Sequence, residues 1–374
     1  MMLLLATLAL NVRKRTKRAK SMPAPRIRVE QAQRSRLSTV DLDNLPFGTI
    51  FSDHMFVADH EGGMWGEPQI VPYGPMPLPP SISALHYGQA VFEGFKAHRT
   101  VDGGVALFRP RDNLARLNRS AVRLAMPEVP ESLFSEGVAE LIRLDRAWIP
   151  QREGGALYVR PVYFATDEVL VVRPAKRYRL AFVTCPVGRY FAEPLRLLAE
   201  EHYVRAFPGG TGNVKPAGNY AAGMLAAHLA QERGFHNVLW LDALEHHFVE
   251  ECGVMNIFFV IGGVAITPSL SGTILPGVTR DSVLTLLREM AIDVNERPVQ
   301  IDEILAAHVA GNLTEAFGVG TAATVAPIAR ICYQEREIRL STEWQGSIAE
   351  RTRSRLEAIQ TGRDADKYGW LMRL

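Results

Sequence analysis

The sequence has little cysteine: Cys185, Cys252 and Cys332 are the three cysteines among 374 residues. They are widely spaced within apolar or strand-like sequence, so we expect free thiols in a reducing compartment. Three are too few for a disulfide framework or for a zinc site with four cysteine ligands. Adjacent His246 and His247 would point to opposite faces of an extended segment, and no third ligand is spaced nearby, so we expect no metal site.

Long apolar runs are also lacking. Residues 2–10 form a run of nine that is too short to span a membrane, and a basic cluster follows it, whereas a secretory signal has its charges in front. The first forty residues hold ten Lys and Arg against one acid, Glu30, a balance of about +9 in a chain of net charge +2. The remainder is therefore mildly acidic, which argues against nucleic acid as a partner.

The basic N-terminus has two interpretations. It is rich in arginine and poor in acids, as transit peptides are, and it also fits an unstructured basic tail. We expect residues 1–40 to be an extension without fixed structure and the protein to be cytoplasmic. The alternative location is the mitochondrial matrix, if the extension is a transit peptide.

The length and an apolar content of 47% predict a large core and two domains. Helical and strand-like patterns alternate along the chain, which predicts a mixed α+β fold. We expect a small α/β domain at residues 41–186, an interdomain loop at residues 187–194 and a larger domain at residues 195–374.

One lysine, Lys215, stands in a run of small residues at positions 209–220. Glycines at 209, 210, 212 and 218 allow backbone angles that are closed to other residues, and Pro216 disfavours helical angles at the lysine. Residues 219–233 then predict a helix that begins within one turn of Lys215 and stops at Gly234. Taken alone, such a loop is more often an ordinary surface turn, and the spacing of a phosphate-binding loop is missing.

Two adjacent carboxylates, Glu250 and Glu251, end a predicted strand. Strand alternation turns only one of them inward, and a buried carboxylate needs a cationic partner. Two solvated acids at a strand end are the alternative. The inward carboxylate can be combined with Lys215, with Arg116 in a helical motif, and with glycine-rich turns at 275–279 and 318–323. These groups are the ones that pyridoxal phosphate needs: an amine, a carboxylate, an arginine and a helix start.

In this order the motifs resemble those of branched-chain amino acid aminotransferases, which belong to the fold-type IV class of pyridoxal-phosphate enzymes. The resemblance covers about residues 45–362 and is carried by Gly-Asn-x-Lys-x-x-Gly-Asn-Tyr at 212–220, the strand of Glu251, Leu-Pro-Gly-Val at 275–278 and Gly-Thr-Ala at 320–322. It implies a small α/β domain and a larger pseudo-barrel β domain with helices. It further implies ping-pong transfer of an amino group between leucine, isoleucine or valine and 2-oxoglutarate.

The resemblance also implies roles for single residues. Lys215 is the catalytic residue, which binds the aldehyde of pyridoxal 5′-phosphate and moves a proton between Cα of the amino acid and C4′ of the cofactor. Glu251 pairs with the pyridine nitrogen and Tyr220 approaches the phenolic oxygen. The residues expected to bind the cofactor are Arg116, Lys215, Tyr220, Glu251, Val278, Thr279 and Thr321.

For the substrate, the resemblance implies an aromatic pocket in which Arg160 receives the γ-carboxylate of glutamate. The main chain of Thr321 and Ala322 is expected near the α-carboxylate, and Leu170 and Val172 are expected to reach the pocket of a neighbouring subunit, so that the protein works as a homodimer. Without the resemblance, aromatic residues at these positions would be read as core. The side-chain pocket is expected to consist of Phe47, Tyr87, Phe92, Tyr158, Arg160 and Tyr190.

Three alternatives stay open. Two are fold-type IV enzymes, a D-amino acid aminotransferase and an aminodeoxychorismate lyase, against which the Tyr-x-Arg pattern of Tyr158 and Arg160 and the chain length argue. The third is a protein that binds pyridoxal phosphate without catalysing a reaction.

Overall fold

The computed structural model describes residues 25–188 and 193–374, whose strands form two large sheets. The first sheet has the order β1-β4-β2-β9-β8-β6-β7-β19, with β3 added to β2 and β5 added to β8. Numbered along the chain, its strands are β1 (Arg28–Val29), β2 (His54–Glu61), β3 (Met64–Trp65), β4 (Gln69–Pro72), β5 (Ala90–Phe92), β6 (Phe95–Arg99), β7 (Val105–Phe108), β8 (Ala156–Ala165), β9 (Tyr178–Val187) and β19 (Leu371–Arg373).

The second sheet has the order β12-β11-β10-β17-β16-β13-β14-β15, with β18 added to β17. It mixes parallel pairs, such as β10 with β11 and β17, with antiparallel ones. Its strands are β10 (Leu195–Ala199), β11 (Asn237–Leu241), β12 (Val249–Cys252), β13 (Asn256–Ile261), β14 (Val264–Thr267), β15 (Val294–Glu296), β16 (Leu313–Gly320), β17 (Thr324–Tyr333) and β18 (Arg336–Arg339).

Helices cover the sheets and connect their strands. Those of the described residues are α1 (Ser83–Tyr87), α2 (Pro110–Arg123), α3 (Glu131–Leu144), α4 (Ala217–Ala222), α5 (Met224–Glu232), α6 (Val278–Glu289), α7 (Ile301–Val309) and α8 (Ile348–Gln360), with 3₁₀ turns at Leu37–Thr39 and Arg146–Trp148. None of them is both long enough and apolar enough to cross a bilayer. The predicted α+β class is confirmed.

Each sheet has its own apolar core. In the first, Phe56 of β2 stacks on Phe182 of β9 with ring centroids 4.6 Å apart, and Phe134 of α3 meets Phe182 edge-on at 5.2 Å. In the second, Phe258 and Phe317 stack at 5.2 Å on neighbouring strands. Two separate cores leave polar side chains where the sheets face each other, and that is where the candidate site lies.

The N-terminal part of the predicted division needs correction. Residues 1–24 lie outside the described residues, but residues 25–40 are not an unstructured tail. Strand β1 pairs in parallel with β4, and the carboxylate of Asp53 accepts hydrogen bonds from Ser35 Oγ at 2.6 Å and the Arg36 N–H at 2.9 Å. Backbone pairing and a buried carboxylate therefore hold a segment whose basic composition predicted disorder.

The C-terminal boundary also differs from the expectation. Strand β19 leaves the second part of the chain and pairs antiparallel with β7 of the first sheet, with Leu371 opposite Phe108. Trp370 packs edge-on against Phe108 at 5.7 Å just before it. The first sheet is thus built from residues near both ends of the described chain.

Candidate active site

A cavity of about 950 Å³ opens between the two sheets and is lined by both. Its walls combine aromatic rings, charged groups and glycine-rich backbone. The structure brings together twelve of the residues expected at the site: Phe47, Phe92, Arg116, Tyr158, Arg160, Lys215, Tyr220, Glu251, Val278, Thr279, Thr321 and Ala322.

The loop that carries Lys215 is fastened on several sides. The Lys215 N–H donates to Ser120 Oγ of α2 at 2.9 Å, and its carbonyl accepts from the Phe92 N–H at 3.2 Å. Gly212 passes so close to a neighbouring loop that a Cβ there would lie 2.2 Å from the carbonyl oxygen of Thr273. Helix α4 begins at Ala217, as predicted, although the helical run breaks at Gly223 into α4 and α5.

The Lys215 amine lies in a desolvated corner of the cavity. Its Nζ donates to the hydroxyl of Tyr220 and lies 4.8 Å from the ring centroid of Phe92. Burial, together with the charge of nearby Arg116, lowers the pKa of Lys215 to about 7, whereas Glu93 opposes the shift. At neutral pH a large share of the amine is unprotonated, so it can act as a nucleophile and as a base.

Glu251 is the inward carboxylate of the pair on β12 and has the cationic partner that its burial requires. Its Oε1 accepts from Arg205 Nη2 at 2.7 Å and from the Leu275 N–H at 2.7 Å. Burial raises the pKa of Glu251, and the charge of Arg205 is the main opposing influence. The ion pair thus favours the carboxylate form at the cavity wall.

Glu250 faces the opposite way, as strand alternation predicts, but solvent does not reach it. It is 5% exposed, one of its oxygens accepts from Thr273 Oγ1, and burial raises its pKa to about 7. The alternative of two solvated acids at a strand end is therefore wrong.

Arg116 lines the cavity in a fixed orientation. Its Nε and Nη2 form a two-pronged ion pair with Glu93, at 2.7 and 2.8 Å, and Nη1 donates to the Pro276 carbonyl at 3.2 Å. Both partners are buried. The guanidinium is thereby held beside the start of α6.

The start of α6 supplies backbone donors to the same wall. Gly277 precedes its first residues, Val278 and Thr279, which line the cavity. A Cβ at Gly277 would lie 2.1 Å from Asn256 Oδ1, so only glycine fits this turn without a shift. Free N–H groups at a helix start and a neighbouring arginine form a binding site suited to a phosphate.

The wall of the cavity that is expected to face the substrate consists of aromatic rings and one cation, Arg160. Arg160 Nη2 donates to the Tyr158 hydroxyl at 3.0 Å, and its guanidinium lies 4.7 Å from the ring centroid of Phe92. Phe47 meets Tyr158 edge-on at 5.1 Å. This wall can accept an apolar side chain and can also bind a carboxylate.

Of the residues expected in the side-chain pocket, Tyr87 does not line this cavity and Tyr190 lies outside the described residues. Tyr87 lies at the end of α1 and is 40% exposed. Leu170 and Val172 are 65% and 81% exposed on the outside of the molecule.

Comparison with known proteins gives the family. The model of the amino-transferase class IV family matches residues 90–331. The chain belongs to the class IV aminotransferases. Among its relatives, branched-chain-amino-acid aminotransferase 2 of Bacillus subtilis is 44% identical over 334 residues, which cover 88% of this chain and 92% of the relative. The branched-chain-amino-acid aminotransferase of Mycobacterium tuberculosis is 46% identical over 88% of this chain and 92% of its own.

A solved structure agrees with this class IV assignment. The branched-chain amino acid aminotransferase of T.th., complexed with N-(5′-phosphopyridoxyl)-L-glutamate, superposes with a TM-score of 0.71 at 29% identity, covering 85% of this chain and 97% of that one. The resemblance stated from the motifs is thereby confirmed. In this class IV aminotransferase, the donor set of amine, anchored carboxylate, arginine and helix start fits the aldehyde, ring nitrogen and phosphate of pyridoxal phosphate.

Sequence reasoning missed two charged partners at this site. Arg205 opens the stretch that contains Lys215, and Glu93 lies in the aromatic segment of β5 and β6, so both were visible as charges in largely apolar surroundings. Their partners, however, are 46 and 23 residues away in the sequence. Pairs between residues so far apart in the sequence can be identified only in the folded chain.

The first prediction concerns Lys215. After reconstitution with pyridoxal phosphate and reduction with borohydride, the wild-type chain should gain the mass of a phosphopyridoxyl group, and Lys215→Ala should not, because the nucleophilic amine is gone. Conversion of the bound cofactor by L-leucine should be lost as well. Lys367→Ala, which removes an exposed lysine far from the cavity, should retain both. A stable adduct on Lys215→Ala would contradict the assignment.

The second prediction separates the two adjacent carboxylates. Glu251→Gln should lower turnover about 100-fold or more, because a neutral amide cannot stabilise a positive charge on a bound ring nitrogen. Glu250→Gln is the matched control: the adjacent residue faces away, and its pKa, raised to about 7, leaves much of it neutral at neutral pH, so most activity should remain. Steady-state turnover and circular dichroism of both variants measure this. Equal losses in the two variants would refute the role of Glu251.

Proposed function

We propose that this class IV aminotransferase transfers the amino group between branched-chain L-amino acids and 2-oxoglutarate. The observation that carries the proposal is one cavity in which the Lys215 amine and the Arg205-bound Glu251 share space with an aromatic wall and Arg160. Pyridoxal 5′-phosphate is the cofactor. Two named relatives at about 45% identity are branched-chain aminotransferases.

The chemistry divides between cofactor and chain. When bound, pyridoxal phosphate supplies an aldehyde for the amino group and a ring that stabilises negative charge at Cα. Lys215, with its pKa lowered to about 7, would take the proton from Cα of the substrate and give it back after the transfer, since an amine near neutrality can do both. Tyr220 orients the lysine through their hydrogen bond, and Glu251 would pair with the ring nitrogen and favour its positively charged form.

Two substrates of different polarity share one pocket. The rings of Phe47, Phe92 and Tyr158 provide contacts for leucine, isoleucine or valine. Arg160 is already held by the Tyr158 hydroxyl, so it can pair with the γ-carboxylate of glutamate without losing conformational freedom at that moment.

The working unit we propose is a homodimer. Leu85 and Tyr87 of α1 and the loop residues Leu170, Val171 and Val172 are all at least 40% exposed. They belong to one surface, because Ile82, at the start of α1, pairs with Glu168 just before the loop. An apolar surface of this kind fits contact with a second copy, which would bring Tyr87, Leu170 and Val172 towards the neighbour's pocket. A cytoplasmic location stays a prediction.

Substrate preference tests the proposed function. Purified protein with pyridoxal phosphate should transaminate L-leucine, L-isoleucine and L-valine with 2-oxoglutarate, and D-alanine and aminodeoxychorismate should react slowly or not at all. Steady-state kcat/KM for each compound is the measurement. A preference for either of the last two would replace the proposal by another fold-type IV activity, and cofactor binding without turnover would indicate a non-catalytic protein.

Charge introduced on the exposed apolar loop tests the dimer. Wild-type protein should have twice the chain mass of 41.5 kDa by light scattering after size-exclusion chromatography. Val172→Asp should shift it towards the monomer, because burying an unpaired carboxylate in an interface is costly. Val309→Asp, at an 87% exposed position in the part built on the second sheet, is the matched control and should stay dimeric. A monomeric wild type would rule the proposal out.

A further inference from the structure

Lys96 is a buried lysine to which neither the motifs nor the chemistry above give a role. It lies in β6 and is 7% exposed. The antiparallel register places it opposite Tyr158, which is in turn opposite Cys185. Directly opposite residues project from the same face of a sheet, so Lys96 projects from the face on which Tyr158 meets the cavity.

The amine of Lys96 bridges from the first sheet to the second. Its Nζ donates to the carbonyl oxygen of Ala322 at 2.9 Å. Burial lowers the pKa of Lys96 to about 8, and the charge of Glu357 on α8 opposes the shift. An amine in this position is costly to bury without a partner, so its bond to the carbonyl is a strong constraint on the turn.

The turn that receives this bond is strained. Residues 321–323 connect β16 to β17, and Gly320 pairs with Thr324 across the turn. Thr324 has φ of +63°. A β-branched residue rarely adopts this conformation, and it persists only where the surroundings fix it. The hydrogen bond from Lys96 is one such external support.

The orientation of the Ala322 carbonyl also determines the orientation of the next backbone donor, the N–H of Ala323. In a trans peptide the carbonyl and the next N–H point in opposite directions. With the carbonyl turned to Lys96, the N–H of Ala323 points in the opposite direction, and Thr321, Ala322 and Ala323 all line the large cavity. Lys96 therefore determines how the backbone of the turn presents itself to a ligand.

We propose that Lys96 is a positioning residue, which through the Ala322 carbonyl holds the turn 321–323 in the orientation that binds the α-carboxylate of every substrate. The inference rests on the proposed function, because the substrates of that function carry the α-carboxylate. Lys96 acts through the turn and does not itself contact the reacting atoms.

The test is Lys96→Met, which keeps an unbranched side chain of nearly the same length but removes the donor and the charge. In half-reactions, the apparent dissociation constants of L-leucine and L-glutamate should both rise by about tenfold or more, because both place an α-carboxylate on the same turn. The maximal rate should change by less than about threefold. The dissociation constant of 4-methylvalerate, which is leucine without its amino group, should rise by a similar factor in calorimetric titration.

Controls separate positioning from a general defect. Lys96→Arg keeps a charged donor and should recover part of the lost affinity, and Lys367→Met should behave as wild type. Unchanged dissociation constants in Lys96→Met, or a loss confined to L-glutamate, would overturn the proposal. If Lys96→Met does not fold, Lys96→Leu, which also lacks a donor, is measured instead, and unchanged constants there overturn it equally. A wild type inactive towards L-leucine would contradict the proposed function, whereas 4-methylvalerate binding tests the role of Lys96 separately.

Discussion

The site depends on keeping several charges in one water-poor cavity. Among the described residues, Lys215 has no carboxylate partner of its own, and the two carboxylates whose charges act on it are paired with arginines: Glu93 with Arg116, and Glu251 with Arg205. Each pair removes a group that would otherwise bind the lysine amine or repel it. Because an unpaired ion in such a place is costly, the stability of the cavity depends on both ion pairs being formed.

One loop organises both ends of this arrangement. The segment that presents Lys215 also presents Arg205, whose Nη2 reaches Glu251, the Gly212 carbonyl at 2.9 Å and the Thr273 carbonyl at 3.1 Å. The close approach at Gly212 presses the loop against residues near Thr273. A single stretch of backbone therefore fixes the distance between the Lys215 amine and the Glu251 carboxylate. Glycine is needed at position 212 because the backbone passes close to Thr273, more than for its flexibility.

The sequence allowed prediction of those features that depend on local pattern. The loop of Lys215 and one inward carboxylate in the strand of Glu250 and Glu251 follow from glycine spacing and strand alternation, whereas the choice of Glu251 rests on the family resemblance. The partners Arg205 and Glu93 did not follow, because pairing between residues distant in the sequence is a tertiary property. Residues 25–40 were misjudged for a related reason: their composition resembles a disordered tail, but β1 is held by backbone bonds to β4, which composition does not reveal. Tyr87 was placed by resemblance, and a single chain does not bring it to its own cavity.

The position of strand β19 determines the order in which the two sheets are completed during synthesis. Since it completes the first sheet beside β7, everything between β9 and β19 is an insertion within one sheet, and two chain crossings join the halves. During synthesis, β7 has an unpaired edge until residues 371–373 leave the ribosome. The first sheet therefore reaches its final form after the second has been translated, and the lysine loop is already present when the two halves close around it.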